Sequence, residues 1–211
     1  MPSVKRNLLG QKLGRKGSET RQRIVDVTLN ILKTRSYSDL SVADIAGEAE
    51  LSSSTFYVYF KDVEDVLYHC VLEAAQDLHD LHEILDQPWT DDNVAACVRE
   101  FVMRYNSLWE QYRVELRVRN LEADQGNFRF LNLRIQTTQD LLEKLSRKIT
   151  QFNPALKNPR QIAIAIHAAM GSLAAQHDIG IASNLRQSRK KLQAGVIEMI
   201  CTILQIPADR S

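Results

Sequence analysis

Residues 52–60 read Ser-Ser-Ser-Thr-Phe-Tyr-Val-Tyr-Phe. Four consecutive short hydroxyl side chains, Ser52, Ser53, Ser54 and Thr55, precede two tyrosines, Tyr57 and Tyr59, and then a cation, Lys61. Hydroxyls of this size at a helix start can bond phosphate oxygens and approach base edges closely. The tyrosines present longer hydroxyl-tipped arms that can reach phosphates on either side of a groove. The chemistry expected of this segment is therefore recognition of a polyanion.

Such a face must be held on a helix that projects from its own core. Residues 43–60 have the parts of a helix-turn-helix: a short helix, a tight turn and a second helix able to lie in the major groove. Ser41-Val42-Ala43-Asp44 resembles a capping box, with Asp44 in place of the usual Glu or Gln. The first helix of the pair is expected from there to about Ala49, with Ile45 and Ala49 facing the core. Ala46 is small enough to let the two helices approach. Leu51 fills the turn. Ser52 is the expected cap of the next helix, over 53–59, with Phe56 and Phe60 as its apolar anchors. Ahead of them, a helix capped by Ser18 is expected to run to about Thr34, burying Ile24, Val27, Ile31 and Leu32.

Charge is distributed to match. The whole chain carries a net +1. Residues 1–61 hold 10 Lys/Arg against 6 Asp/Glu, a balance of +4, which leaves −3 for the remainder. The first 17 residues contain Lys5, Arg6, Lys12, Arg15 and Lys16 and no acidic residue. With Gly10, Gly14 and Gly17 among them, they read as a flexible basic arm facing a polyanion.

On these residues the segment from Thr20 to Leu67 resembles the DNA-binding domain of the tetracycline-repressor (TetR) family. The matching parts are Thr20-Arg21 leading into Ile24, Ser41-Val42, Ile45-Ala46, Thr55 through Phe60, and Asp65-Val66-Leu67. The resemblance implies a three-helix DNA-binding head and a helical body that binds a small effector. It also implies dimerisation through the last two helices, and repression relieved when effector binding changes the separation of the heads. It adds Thr20, Ser41 and Lys61 to the DNA-contacting set. Two positions depart from the pattern. Glu50 stands where the turn usually has Gly, and so must tolerate a left-handed or strained backbone. Val63 replaces a Lys whose phosphate contact would then pass to Lys61.

Beyond Asp62 the periodicity is helical throughout, with helices expected near 63–85, 92–112, 114–124, 128–152, 159–179 and 185–205. Breaks carry Pro88, Gly126, Pro154, Pro159, Gly180 and Pro207. The fold class is all-α: an arm over 1–17, a helix-turn-helix domain over 18–62, and a larger ligand-binding and dimerisation domain over 63–211. Phe101, Tyr105, Trp109 and Tyr112 recur at helical spacing. With Met170 and Arg119 they are the expected lining of a pocket for a small, largely apolar effector. Ala165, Ala168, Ala169, Gly171, Ser172 and Ala175 leave the penultimate helix low in bulk. The apolar residues Leu192 to Leu204 suit the last helix to pair with it in a homodimer.

Other classes are disfavoured. Cys70, Cys97 and Cys201 form neither a disulfide framework nor a metal spacing. His69, His79 and His82 lack a ligating pattern, so no metal is expected. No cofactor motif and no nucleophile–base constellation occurs, so no enzyme activity is expected. The apolar window 162–175 is too short to span a bilayer, and a cytoplasmic location is expected.

Overall fold

The structure, a computed structural model, describes residues 6–77, 80–178 and 189–205. These residues form ten α-helices: α1 Arg15–Ile31, α2 Val42–Glu48, α3 Ser53–Tyr59, α4 Val63–Asp77, α5 Asp80–Asp86, α6 Val94–Gln111, α7 Arg113–Asp124, α8 Phe128–Phe152, α9 Pro159–Asp178 and α10 Arg189–Ile203. The all-α class expected from the sequence holds. Among the described residues no helix is long and apolar enough to cross a membrane. The chain divides into two compact units, one of residues 1–77 and 114–134, the other of 78–113 and 135–211.

In the first unit, α1 buries Arg21, Ile24, Val25 and Thr28. They meet Ile45 and Ala46 of α2, Phe56 and Phe60 at α3, and Val66 and Cys70 of α4 in one core. Phe56 and Phe60 have no exposed surface. Burial of each contributes about 1.5–3 kcal/mol. Helix α1 starts at Arg15 behind an extended Gly14. Ser18, expected as its cap, instead lies inside the first turn, with its N–H bonded to the Gly14 carbonyl at 3.0 Å. Arg15, Lys16 and Gly17 are accordingly helix rather than arm.

A second core joins Leu67, Val71 and Ala75 of α4 to Val118 and Ala123 of α7 and to Phe130 and Leu133 of α8. The sequence sets a boundary after Asp62, whereas here α4, α7 and the first turns of α8 pack with the three-helix head. Gly126, with φ +89°, ends α7: its N–H bonds Ala123 O and the next N–H bonds Glu122 O. That pair of bonds is the Schellman arrangement, for which glycine is favoured.

In the second unit, α6 buries a face from Val94 to Trp109 and packs against α5, α9 and α10. Helix α9 contributes Ala163, Ile166 and Met170, and α10 contributes Val196, Ile197, Ile200 and Leu204. Lys144 of α8 meets Asp86 at 2.6 Å, and Lys148 and Gln151 donate to the carbonyls of Gln87 and Trp89. These bonds tie the end of α5 and the loop after it to α8.

The stretch expected as one helix over 63–85 carries two, α4 and α5, with residues 78–79 outside the described residues. Lys5, His79, Gly180, Pro207 and residues 185–188 of the expected last helix also lie outside them.

The turn after α2 is the strained point of the head. Glu50 has φ +55°, the left-handed conformation that costs a residue with a Cβ about 1–2 kcal/mol. Its N–H bonds Gly47 O at 3.0 Å and that of Leu51 bonds Ala46 O at 2.8 Å. Glu50→Gly should therefore raise the stability of the head by about 0.5 kcal/mol, glycine's greater chain entropy offsetting part of the relieved strain. Glu50→Val should lower it by about 1 kcal/mol or more. Urea unfolding of the two variants checks the opposite signs.

Candidate nucleic-acid interface and effector cavity

Helix α2 begins in a complete capping box. The Asp44 N–H donates to Ser41 Oγ at 3.2 Å, and Asp44 Oδ2 accepts from the Ser41 N–H at 3.0 Å and from the Ser41 hydroxyl. Arg35 adds a bond to Asp44 Oδ1 at 3.1 Å. The Ser41 hydroxyl above all, then Arg35, lowers the Asp44 carboxyl from its ordinary value to about 2. Ser41 itself is exposed.

Helix α3 follows with Ser52 as its cap, accepting from the Thr55 N–H at 3.1 Å. The hydroxyls form a small cluster: Ser52 Oγ lies 2.7 Å from Ser54 Oγ and 2.9 Å from Thr55 Oγ1. Ser52, Ser53 and Ser54 are exposed, and Thr55 is half-buried. Tyr57 is 52% exposed, with its ring edge-on to Phe56. Tyr59 is half-buried and packs on the head core. A single surface of α3 thus offers three serine hydroxyls and one phenol, while Phe56 and Phe60 hold its other side.

The flanking residues divide. Lys61 is exposed, and its backbone N–H is held by Asp65 Oδ2 at 3.2 Å. Val63 packs against both cores of the unit, so an apolar contact replaces the cation usual there. Thr20 is half-buried and its hydroxyl donates to Lys16 O at 2.9 Å.

Sequence reasoning missed the partner of Asp65. This carboxylate is buried, and it accepts from Arg129 of α8 at 2.9 Å as well as from Lys61. The Arg129 guanidinium also lies 3.7 Å over the Tyr68 ring. No local pattern links residues 65 and 129; only the buried acid signals that a cation must reach it.

In the second unit, Phe101, Tyr105, Trp109 and Met170 are all buried. Gly171 lets them close up: a Cβ there would stand 3.1 Å from Tyr105 Oη and 4.0 Å from Trp109 Cζ2. Tyr105 meets His167 edge-on. Beside Trp109 and Met170 lies a cavity of about 30 Å³ whose lining includes Asn106, Glu110, Arg113 and Val196. That is room for a water or two. Tyr112 is half-buried and accepts from its neighbour Gln111 at 2.7 Å. Arg119, grouped with these residues in the sequence reading, belongs to the first unit. It is buried there, its guanidinium donating to Asn120 Oδ1 at 3.2 Å. Neither unit therefore brings Arg119 to the α6 aromatics.

His69 packs edge-on to Phe60 in the first unit, and His82 pairs with Asp140 in the second. Among the described residues no group of three His, Cys, Asp or Glu side chains could hold a metal ion.

A short helix exposed behind a left-handed turn, with a hydroxyl face outward and two phenylalanines inward, defines a helix-turn-helix DNA-binding regulator. The chain belongs to the TetR family: residues 24–69 match the bacterial regulatory proteins of the tetR family, and residues 78–200 match the tetracyclin repressor-like C-terminal domain. It is a DNA-binding transcription regulator of that family, whose members are not enzymes. Similar folds include a TetR-family transcriptional regulator from Streptomyces coelicolor, with TM-score 0.70 and 18% identity over 94% of this chain and 85% of that one. A putative TetR-family regulator from Syntrophomonas wolfei gives 0.65 and 20% over 89% and 95%. The regulator FadR of Bacillus subtilis, solved in complex with stearoyl-CoA, gives 0.62 and 18% over 84% and 96%. No protein of curated function matches the sequence.

The capping box makes a pH prediction. A carboxyl lowered in the folded state stabilises it above the ordinary value of 3.8 and ceases to do so as pH falls towards 2. Asp44→Asn should remove that part of the acid dependence between about pH 4 and pH 2. Acid titration of the variant against the parent chain, followed by circular dichroism, measures it; parallel curves would contradict the assignment.

Proposed function

We propose that this regulator is a repressor that binds a pseudopalindromic operator as a homodimer and leaves it when a small, largely apolar effector enters its α6–α9–α10 region. The observation that carries the reading is the exposed Ser52, Ser53, Ser54 and Tyr57 face of α3. In this reading Thr55, Tyr59, Lys61, Thr20 and Ser41 contribute at its edges. One short helix reads only a few base pairs, so two heads on half-sites about one helical turn apart, or a multiple of it, supply the specificity. The protein acts in the cytoplasm, where its DNA lies.

The dimer face proposed is that of α9 and α10. Ile164, Ala165, Ala168 and Ser172 of α9 and Ala194, Gly195 and Met199 of α10 are exposed. An open, largely apolar groove of about 460 Å³ runs along the same helices past Ile162, Ala165, Met199 and Ile203. Small residues beside apolar ones allow close packing of a two-fold four-helix bundle. For the effector, the buried tyrosine and tryptophan on α6 offer apolar walls with polar tips, and Asn106, Glu110 and Arg113 add a few orienting groups.

Two measurements test the reading. Selection of DNA fragments by the wild-type chain should yield a symmetric site, and Tyr57→Ala should bind that site about 10–100-fold more weakly, the loss expected for one hydrogen bond to a charged phosphate. An unchanged affinity would remove Tyr57 from the interface. Ala168→Arg should give a monomer in sedimentation equilibrium with helix content retained; a dimer that persists would place the symmetric contact elsewhere.

A further inference from the structure

We propose that residues 6–12 form a docked hairpin that is a second DNA-contacting element, placing Arg6 and Lys12 on backbone phosphates beside the half-site met by α3. The proposal rests on the operator-binding reading above and extends it to a segment that precedes residue 24, where the family match begins.

The hairpin is organised by Asn7. Its N–H bonds Gln11 O at 2.9 Å, and its carbonyl accepts from the Gly10 N–H at 3.0 Å. Its Oδ1 accepts from the N–H groups of Leu9 and Gln11 at 3.1 and 2.9 Å. Gly10, at φ +78°, supplies the left-handed residue that closes the turn. Arg6 and Lys12 then face each other as an antiparallel bridge.

Two contacts fix this hairpin to the DNA-binding helices. The Leu8 N–H donates to Val58 O at 3.0 Å, one of the carbonyls that the end of α3 leaves without an intrahelical donor. Leu13 lies against the first turns of α1, so close that a Cβ at Gly17 would stand 2.9 Å from Leu13 Cδ2 and 3.8 Å from Tyr59 Oη. The segment is thereby a continuation of the surface that α3 presents.

Its charge points to the partner. Arg6 and Lys12 are exposed and directly opposite, an arrangement of like charges that disfavours the pairing. No ion pair to a carboxylate relieves either of them among the described residues, and no acidic residue occurs before Glu19. Phosphates on a duplex that meets α3 would neutralise both cations at once. Leu8 and Leu9, 45% and 66% exposed at the tip, would be covered by the same approach.

The test uses the full chain and a duplex enriched by the wild-type protein from a random-sequence pool, with affinity followed by fluorescence anisotropy over a range of KCl concentrations. Each phosphate contact contributes about 0.9 to the slope of log K against log salt. The double variant Arg6→Ala/Lys12→Ala should therefore lose about two units of slope, and at least about tenfold in affinity near 0.15 M salt, while keeping the same preferred sequence. Leu8→Pro keeps both cations but removes the N–H that docks on Val58; it should lose most of the same slope. If the wild-type chain enriches no sequence, the operator reading falls and this one with it. If it enriches a site and the double variant binds it with unchanged slope, this proposal alone is overturned. Wild-type behaviour of Leu8→Pro would overturn the docking.

Discussion

Recognition by this head depends on one backbone constraint, the left-handed residue between α2 and α3. Helix α3 has seven residues, too few to persist alone in water. Its direction is set by what holds its ends. At the front, the two hydrogen bonds of the Glu50–Leu51 turn fix the chain reversal, and Leu51 packs on the core below. The backbone alone satisfies those bonds, so the side chain at position 50 is free to be something other than glycine at the cost of local strain. Next comes the Ser52 cap, which orients the first turn. Underneath, Phe56 and Phe60 leave no second way to seat the helix, since a rotation that exposed them would forfeit several kcal/mol of burial.

The far end of α3 is held by an interaction of another kind. Asp65 is buried, and a buried carboxylate is tolerated only with partners. It finds them in the Lys61 N–H, at the first residue beyond α3, and in Arg129 from the start of α8. The corner between α7 and α8 is in turn set by Gly126 and by the Tyr37 hydroxyl donating to Gln125 at 2.6 Å. The exit from the recognition helix is thus tied, through one acid, to residues far along the chain. The same unit therefore contains both the DNA-facing helix and the α7–α8 corner.

Local chemistry made part of this legible in advance. The capping box at Ser41 and Asp44, the Ser52 cap, and the left-handed demand on Glu50 each follow from a few neighbouring residues, and each is found as read. Helix ends governed by longer-range contacts were less legible. Ser18 is a good cap by type, but Gly14 starts α1 earlier, where Leu13 and Tyr59 approach Gly17. The periodicity over 63–85 is unbroken, and nothing in composition marks the division between α4 and α5. Arg119 and Arg129 are alike in sequence, both arginines amid helical polar residues. Only tertiary packing makes one a neighbour of Asn120 and the other the partner of Asp65. A run of basic and glycine residues reads as an unattached arm because its anchors, a backbone N–H at Leu8 and a carbonyl at Val58, leave no trace in residue type.

The closed state of the second unit bears on how an effector could act. A cavity of about 30 Å³ beside Trp109 admits solvent but not a small organic molecule. An effector in that region must therefore bind a form in which side chains such as Trp109 or Met170 have moved. Tyr105 Oη already sits where a Cβ on Gly171 would be crowded, so little slack is available for gradual opening, and packed interiors of this kind shift between discrete arrangements. Effector binding then selects the opened form, and it weakens DNA binding only by the factor with which DNA prefers the closed one. Driving the population from about 99:1 to 1:99 takes a preference of roughly 10⁴. Apolar area newly covered by the effector is the available source of that preference, because the few polar groups lining the cavity can be hydrated in either form.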